Sequence, residues 1–535
     1  IIQSLDSKNY SPFLLHGVTG SGKTEIYIEA VRHCLDQSRT AIILLPEISL
    51  TPQIAGRFRA VFGDSIALWH SKLTQAQRSW TWKEICKGSF KVVIGARSAV
   101  FAPLKDLGLI VIDEEQESSF RQDAPAPRYH ARDVALMRAT YEGSSVVLSS
   151  ATPSLESYYN YLHKKLIYLH LPERFGGAKY PQVHLVDMLG NQEESGKFGQ
   201  IFSGLLQDKI EDRLQKKEQI ILLQNRRGYS PVVRCGDCGD IVMCPQCKVA
   251  LTYHRKGSQL ICHCCGHFET KQREACRSCQ SPNMKYSGTG TQRVESLIEE
   301  TFPDARLGRL DMDTARTGSG LTKILKDFSD GKLDILLGTQ MIAKGLDFPN
   351  ATLVGIINAD LGLHLPDFRA GERIFQLIYQ ASGRAGRRLK PGEVVIQTYV
   401  PDNPVIKNAA KLDMMKYYNI ALSERNELKY PPFSWLAKIE ITGQNQTSAN
   451  SLSERIAKAL KGKYKGLDVL GPSSCYLEKL RNNYRFQIVF KSLKKVDPNG
   501  QKLHQFITNN FRDFQKKYRP GKNRINIHFD PLSLI

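Results

Sequence analysis

The chain has 535 residues, 41% hydrophobic and 24% charged, an ordinary balance for a soluble protein with room for three or four domains of roughly 150 residues each. Lys and Arg number 74 against 53 acidic residues, a net +21, which favours a polyanionic partner, most simply DNA, with general solubility as the alternative. No apolar run approaches the roughly 20 residues that cross a bilayer and no signal-like segment opens the sequence, so no membrane role and a cytoplasmic, nucleoid-associated location are expected.

The first element in chain order is "PFLLHGVTGSGKTEIYIEAV". A strand over Phe13 to Leu15 runs into Gly17, Val18, Thr19, Gly20, Ser21, Gly22, Lys23 and Thr24, and a helix with Ile26, Ile28 and Val31 on its apolar side follows. Strand, glycine loop and helix fit the phosphate-binding motif in the context it demands. Backbone N–H groups would close around the phosphates of ATP. Lys23 would reach the β- and γ-phosphates, and Thr24 would offer its hydroxyl to Mg²⁺. Further on, the run Leu107 to Ile112 ends at Asp113-Glu114. Asp113 is placed to hold Mg²⁺ through water and Glu114 to polarise the attacking water.

Residues 41–53, 91–104 and 145–154 repeat the strand-to-polar-loop form, which predicts a doubly wound parallel sheet with function at the carboxyl ends of its strands. Residues 219–230, 305–314, 334–360 and 392–401 predict a second such sheet. Within it, "IYQASGRAGRR" lies on a helix expected to start near Gly371, where Gln380, Arg384 and Arg387 share one face. Arg384 and Arg387 are candidate arginine fingers. Plain solvation or phosphate contact with nucleic acid is the competing reading.

Nine of the 12 cysteines fall between positions 235 and 279, and they contain four C-x-x-C pairs. Such spacing points to two closed, structural Cys₄ zinc sites. The segment between Cys247 and Cys262 reads as a hairpin, Val249 to His254 against Gln259 to Cys262, which brings those two cysteines together. Cys244, Cys247, Cys262 and Cys265 then share one Zn²⁺, and Cys235, Cys238, Cys276 and Cys279 share the other, with Cys264 spare. From Arg226 to Lys285 there are ten basic and four acidic residues. The expected product is a metal-dependent basic knob, because so small a segment buries too little surface to fold unaided.

The segment "SSFRQDAPAPRYHARD" (118–133) interleaves Phe120, Arg121, Arg128 and Tyr129 with prolines. That pattern suits base stacking and phosphate contact on a single strand. An irregular surface loop is the alternative. After Tyr430-Pro-Pro the elements run βαββαβ, a ferredoxin-like unit, with ten basic residues against two Asp from Lys491 to Arg524. The expected divisions are lobe 1 at 1–178, lobe 2 at 179–228 and 288–430, the zinc insertion at 229–287 and the C-terminal domain at 431–535.

Taken together, GVTGSGKTE, LLPEISLTPQ, GARSAVFAPL, DEEQ, RYHARD, SSATPS, NRRGYSP, GTQMIAKG and QASGRAGR resemble a superfamily 2 helicase, and within it the bacterial primosomal replication-restart helicases. The resemblance runs from about Phe13 to the C-terminus. It implies two RecA-like lobes and ATP-driven 3′→5′ unwinding of DNA at stalled forks. It also implies the nested zinc pairing and an aromatic-rich loop at 118–133 that couples DNA binding to hydrolysis. The implied partners are single strands, other primosome proteins, single-strand DNA-binding protein and a replicative helicase loader. A double-strand translocase and a fork-binding scaffold are the rival readings. The sequence departs from the family twice. Gln116 stands where the family has His, which keeps a hydrogen-bonding group but not a titratable one. The family also carries a DNA 3′-end-binding domain and a winged helix ahead of the glycine loop, where 16 residues precede Gly17 here.

Overall fold

The computed structural model describes residues 1–46, 52–177, 180–190, 200–224, 233–245, 250–254, 259–262, 266–269, 275–286, 291–310, 318–339, 342, 348, 350–386, 392–460 and 464–535. Its first lobe is built on β1 (Ser11–Gly17), β2 (Thr40–Leu44), β3 (Ile66–Trp69), β4 (Val92–Gly95), β5 (Leu107–Asp113), β8 (Ser145–Ser150) and β9 (Ile167–Leu171), with a small hairpin of β6 (Arg121–Gln122) and β7 (Tyr129–His130) set aside from them. The sheet order is β3-β4-β2-β5-β8-β1-β9, and every neighbouring pair is parallel. The central strands read as unbroken apolar runs because helices cover both faces of the sheet. Leu109, Ile110, Val111 and Ile112 are all fully buried, and they alternate between the two cores that flank the sheet. This order brings the carboxyl ends of β5, β8 and β1 side by side.

The second lobe opens with β10 (Gln182–Asp187) and β11 (Gln219–Leu223). The cysteine-rich insertion then contributes β12 (Val233–Cys235), β13 (Thr252–His254), β14 (Gln259–Ile261), β15 (Phe268–Glu269) and β16 (Met284–Tyr286). The lobe resumes with β17 (Leu307–Leu310), β18 (Ile335–Gly338), β19 (Ala351–Ile356) and β20 (Glu393–Thr398), giving the order β10-β20-β19-β11-β18-β17. In the insertion, Thr252 pairs with Ile261 and Tyr253 with Leu260 in the expected hairpin, and β12 against β16 closes its base.

The C-terminal domain carries β21 (Ser434–Gly443), β22 (Leu467–Leu480), β23 (Asn483–Leu493) and β24 (Arg524–Phe529) in the antiparallel order β22-β23-β21-β24. That is the order of a split βαβ unit. Leu452 and Ile456 from one helix and Leu503, Ile507 and Phe514 from the other pack into one core with Ile439, Ile441, Ile488 and Phe490.

The two lobes share a core. Ala151, Leu155 and Tyr158, which follow β8, are buried in the cluster that contains Phe375, Tyr417 and Tyr418 of lobe 2. Four charges cross the same seam, Arg425 and Glu372 buried and Glu156 and Arg369 partly so. Arg425 donates to Glu372 Oε2 at 2.6 Å and to Glu156 Oε1 at 3.1 Å, and Arg369 donates to Glu156 Oε2 at 2.9 Å. Glu372 also accepts the backbone N–H of Leu155 at 3.0 Å, at the start of the helix Leu155–Leu162. Burial alone would raise the Glu156 carboxyl, but Arg369 and Arg425 outweigh it and hold it well below the usual carboxylate range. Replacing Arg425 with Met leaves Glu156 and Glu372 buried and short of a partner. The expected loss is about 3–5 kcal/mol of stability at neutral pH, read from urea unfolding. A depressed carboxylate contributes fully above its unfolded value of about 4.3 and less as it is protonated, so the gap between the two proteins should narrow in acid.

Candidate nucleotide site and metal centre

Gly17 ends β1, and the chain turns back on itself before the helix Lys23–Asp36. Gly20 and Gly22 both have φ of 85°, a conformation that side chains rarely adopt. A Cβ on Gly17 would stand 2.5 Å from Ser21 Oγ. The loop is held from outside through its edges. Val18 N–H donates to Leu171 O at 3.2 Å, and Phe175 N–H donates to Gly20 O at 2.9 Å. Lys23 Nζ lies across the mouth of the loop, donating to Gly17 O at 2.7 Å. The helix N-terminus and this ammonium together make a seat for anionic oxygens.

Asp113 closes β5 two strands away. The Tyr27 hydroxyl donates to its Oδ1 at 2.7 Å and also bonds Ser149. Burial first, and then the neighbouring Glu114, raise the Asp113 carboxyl to about 6, against the pull of Lys23 and Tyr27. A carboxylate with a second acid beside it is an oxygen donor set that suits Mg²⁺. Glu114 sits in the left-handed region at φ 50°. Its Oε2 accepts Gln116 Nε2 at 2.7 Å and, from the other lobe, Gln380 Nε2 at 3.2 Å. Gln380 also donates to Thr152 Oγ1 at 3.3 Å. Gln116 therefore grips Glu114 within its own lobe, while Gln380 grips it across the cleft.

Some expectations change. The helix carrying Gln380 spans Ala370–Ser382 and ends at Gly383, so Arg384 lies beyond it rather than on a shared helical face. The chain turns out of the helix there, and Arg384 is 8% exposed. Arg387 lies outside the described residues. Gly383 packs directly on the glycine loop, where a Cβ would meet Thr19 Oγ1 at 2.6 Å and Thr19 Cβ at 2.7 Å. Phe120 offers no face for base stacking. It is fully buried in the lobe 1 core with Ile112 and Leu104, because the turn Ser118–Phe120 points it inward. Arg121 and Arg128 donate to Phe529 O at 2.6 Å and Ile527 O at 2.5 Å on the C-terminal domain, and Tyr129 packs edge-on against Phe101.

Glu115 carries a role the sequence reading missed. It is fully buried and accepts Ser154 N–H at 2.6 Å, Ser157 Oγ at 2.9 Å and Arg132 Nη1 at 3.0 Å. The signal was the alternation in DEEQ, which turns Glu115 away from Glu114 and towards SSATPS and RYHARD.

In the insertion, the sulfurs of Cys235, Cys238, Cys276 and Cys279 all lie within 4.8 Å of one another, and the 235–279 and 238–276 pairs are 3.5 Å apart. Thiolates about 2.3 Å from a tetrahedral zinc stand a little under 4 Å apart, so these four fit one ion. The N–H groups of Asp237 and Ser278 donate to Cys235 and Cys276 sulfurs at 3.4 Å. Cys244 and Cys262 are buried in one small cluster with Val242, Leu251 and Leu260. Cys247, Cys264 and Cys265 lie outside the described residues.

Four family models match the chain. They are DEAD/DEAH box helicase at 2–160, Helicase conserved C-terminal domain at 288–388, PriA DNA helicase Cys-rich region (CRR) domain at 244–269 and Primosomal protein N C-terminal domain at 426–532. The replication restart protein PriA of Bacillus subtilis is 44% identical over 97% of this chain and 64% of its own length. That of Chlamydia pneumoniae is 39% identical over 95% and 68%, and that of Treponema pallidum 40% over 98% and 77%. The chain belongs to the replication restart protein PriA family. It carries both halves of a helicase motor, the family's cysteine-rich region and the family's C-terminal domain, and it spans about two thirds of the length of the first two relatives. Among the described residues no helix is long and apolar enough to cross a membrane.

The contact between Gly383 and Thr19 generates a prediction. Gly383→Val should lower the maximal rate of ATP hydrolysis at least tenfold by holding the lobes apart, while the thermal midpoint moves by only a few degrees. A normal maximal rate would show that this approach is not needed for turnover.

Proposed function

We propose that the chain is an ATP-dependent 3′→5′ DNA helicase that acts at stalled replication forks and starts primosome assembly. The single observation that carries this reading is that Gln380 of one lobe bonds Glu114 of the other at 3.2 Å. A hydrolytic centre completed by both lobes ties turnover to lobe movement, as a translocating motor requires.

The loop from Gly17 to Thr24 binds the triphosphate, and Lys23 swings from Gly17 O to the β- and γ-phosphate oxygens. Asp113, oriented by Tyr27, and Thr24 would hold Mg²⁺, which supplies charge neutralisation on the phosphates. Glu114 accepts a proton from the attacking water, with its carboxylate fixed by Gln116 and Gln380. Arg384 and Arg387 supply positive charge as the γ-phosphoryl leaves. Glu115 links the acidic turn to Ser154 and hence, through Leu155 and Glu372, to lobe 2.

The outer cysteines Cys235, Cys238, Cys276 and Cys279 hold one Zn²⁺, and Cys244, Cys247, Cys262 and Cys265 hold a second. The substrates are stalled forks and single strands. The partners are other primosome proteins, single-strand DNA-binding protein and the replicative helicase loader, at the nucleoid. The names of the relatives and the Cys-rich family model support this reading.

Two predictions follow from the roles assigned. Lys23→Ala should abolish DNA-stimulated ATP hydrolysis and unwinding of a forked duplex with a 3′ tail, with DNA binding retained. A parent that hydrolyses ATP on DNA yet displaces no strand would make it a translocase, and unwinding unaffected in Lys23→Ala would make the ATPase dispensable. Cys265→Ser should lower the zinc content from two ions towards one and reduce unwinding more than hydrolysis, whereas Cys264→Ser should keep both ions. Metal analysis with the reverse result would overturn the ligand register.

A further inference from the structure

After β9, the last strand of lobe 1, the chain crosses to β10 of lobe 2. The first part of that crossing, Pro172 to Gly177, inverts the usual preference for burying apolar and exposing charged side chains. Arg174 is buried, while Pro172, Glu173, Phe175, Gly176 and Gly177 are exposed, Phe175 at 82%. Taking a guanidinium out of water has a desolvation cost, so its contacts have to be specific. Arg174 Nη1 donates to Gly386 O at 3.3 Å and to Ala385 O at 3.5 Å, two successive carbonyls that lie between Arg384 and Arg387 in the sequence. Each bond is long. The hold comes from the fork over two carbonyls and from a positive charge facing both dipoles, not from one tight contact. Tyr180 steadies the side chain from one face. Its ring centroid is 5.1 Å from Arg174 Cζ, and its hydroxyl donates back to Pro172 O at 3.3 Å.

The backbone that carries Arg174 is tied to the phosphate seat on both sides. Leu171 O accepts Val18 N–H at 3.2 Å, and Phe175 N–H donates to Gly20 O at 2.9 Å. The base of Arg174 is therefore bonded to the glycine loop, and its tip is bonded to the turn that follows the helix Ala370–Ser382. The other side of that turn is closed by lobe 2. Gly386 N–H donates to Ala351 O at 3.4 Å, and a Cβ on Gly392 would stand 2.4 Å from Ala385 C and from Gly386 N. The turn thus lies between lobe 2 backbone and the Arg174 guanidinium, while Gly383 at its start packs on Thr19 of the glycine loop. The Gly386 carbonyl belongs to the planar peptide unit that leads into Arg387, so drawing its oxygen towards Arg174 orients that unit.

We propose that Arg174 is a positioning residue for ATP hydrolysis. It acts through the turn Gly383–Gly386, holding it against the glycine loop so that the arginines on either side of Ala385 and Gly386 are presented to the γ-phosphoryl group. The proposal rests on the reading of the chain as an ATP-driven motor. Its test compares the whole chain with Arg174→Met, which keeps the length and removes the donors, and with Arg174→Lys, which keeps a charge and a donor but not the planar fork. Steady-state ATP hydrolysis on single-stranded DNA gives kcat and KM, and binding of N-methylanthraniloyl-ADP gives the ground-state affinity. Arg174→Met should lower kcat about tenfold or more and leave KM and the ADP-analogue affinity within about threefold, because the placement of the arginines matters most in the transition state. Arg174→Lys should recover part of the loss and end about threefold below the parent in kcat. A merely structural loss would lower the analogue affinity together with the rate. A parental kcat in either variant overturns the proposal, so Arg174→Lys decides alone where Arg174→Met does not fold. A loss carried by KM and analogue affinity, with kcat kept, overturns it in favour of simple support of the glycine loop. A parent that binds the analogue yet hydrolyses no ATP on DNA overturns the motor reading beneath it.

Discussion

Glu114 is held by one glutamine from each lobe, and the rest of the molecule is arranged around that junction. Its own turn supplies Gln116 and the other lobe supplies Gln380, both to the same carboxylate oxygen. The geometry demands that the end of β5 and the end of the helix Ala370–Ser382 be held within a few tenths of an ångström. The shared core at Tyr158, Phe375 and Tyr418 and the ion cluster of Glu156, Arg369, Glu372 and Arg425 do this from behind. Because hydrogen bonds weaken steeply with distance and angle, a small rotation of one lobe removes Gln380 from Glu114 while leaving Gln116 in place.

Gln116, where the resemblance implies His, is a chemically mild choice in this setting. A side-chain amide donates to Glu114 at any pH, whereas an imidazole would change its charge near neutrality. The grip on the carboxylate is thus independent of pH on the Gln116 side. Asp113 beside it is raised to about 6 by burial and by Glu114.

What the sequence disclosed depended on whether a feature was local. The glycine loop was legible because its residues are contiguous and its geometry is self-contained. The C-x-x-C pairs were legible because two intervening residues suffice to set a metal knuckle, and the hairpin between Cys247 and Cys262 carries its own turn signal. Gln380 against Glu114 spans 266 residues, and nothing local marks that pairing. In the two motor sheets the strands not expected, β3, β9 and β10, are all edge strands. An edge strand is covered on fewer sides, so β9 and β10 mix exposed and half-buried positions and lack the apolar run that revealed β5 and β8. Phe120 was misread because an aromatic among arginines and prolines has the composition of a binding loop, whether its ring points out or in.

The same loop shows how the C-terminal domain is joined to the motor. Ile527 and Phe529 are two apart on β24, the edge of the C-terminal sheet, and it is their carbonyls that Arg128 and Arg121 cap. Without those two guanidiniums the edge would expose unsatisfied acceptors and a template for unwanted pairing. The arginines belong to the segment that starts at Glu114 and is anchored at Phe120 in the lobe 1 core, six residues on. The C-terminal tail is held from the other lobe as well, where Asp367 bonds Ser533 Oγ at 2.6 Å and Arg373 donates to Leu532 O at 3.2 Å. The C-terminal domain therefore touches both lobes. The tail attachment is deeply buried, with Asp367 2% and Leu534 1% exposed, whereas on the lobe 1 side Arg121 is half-buried and Arg128 is exposed.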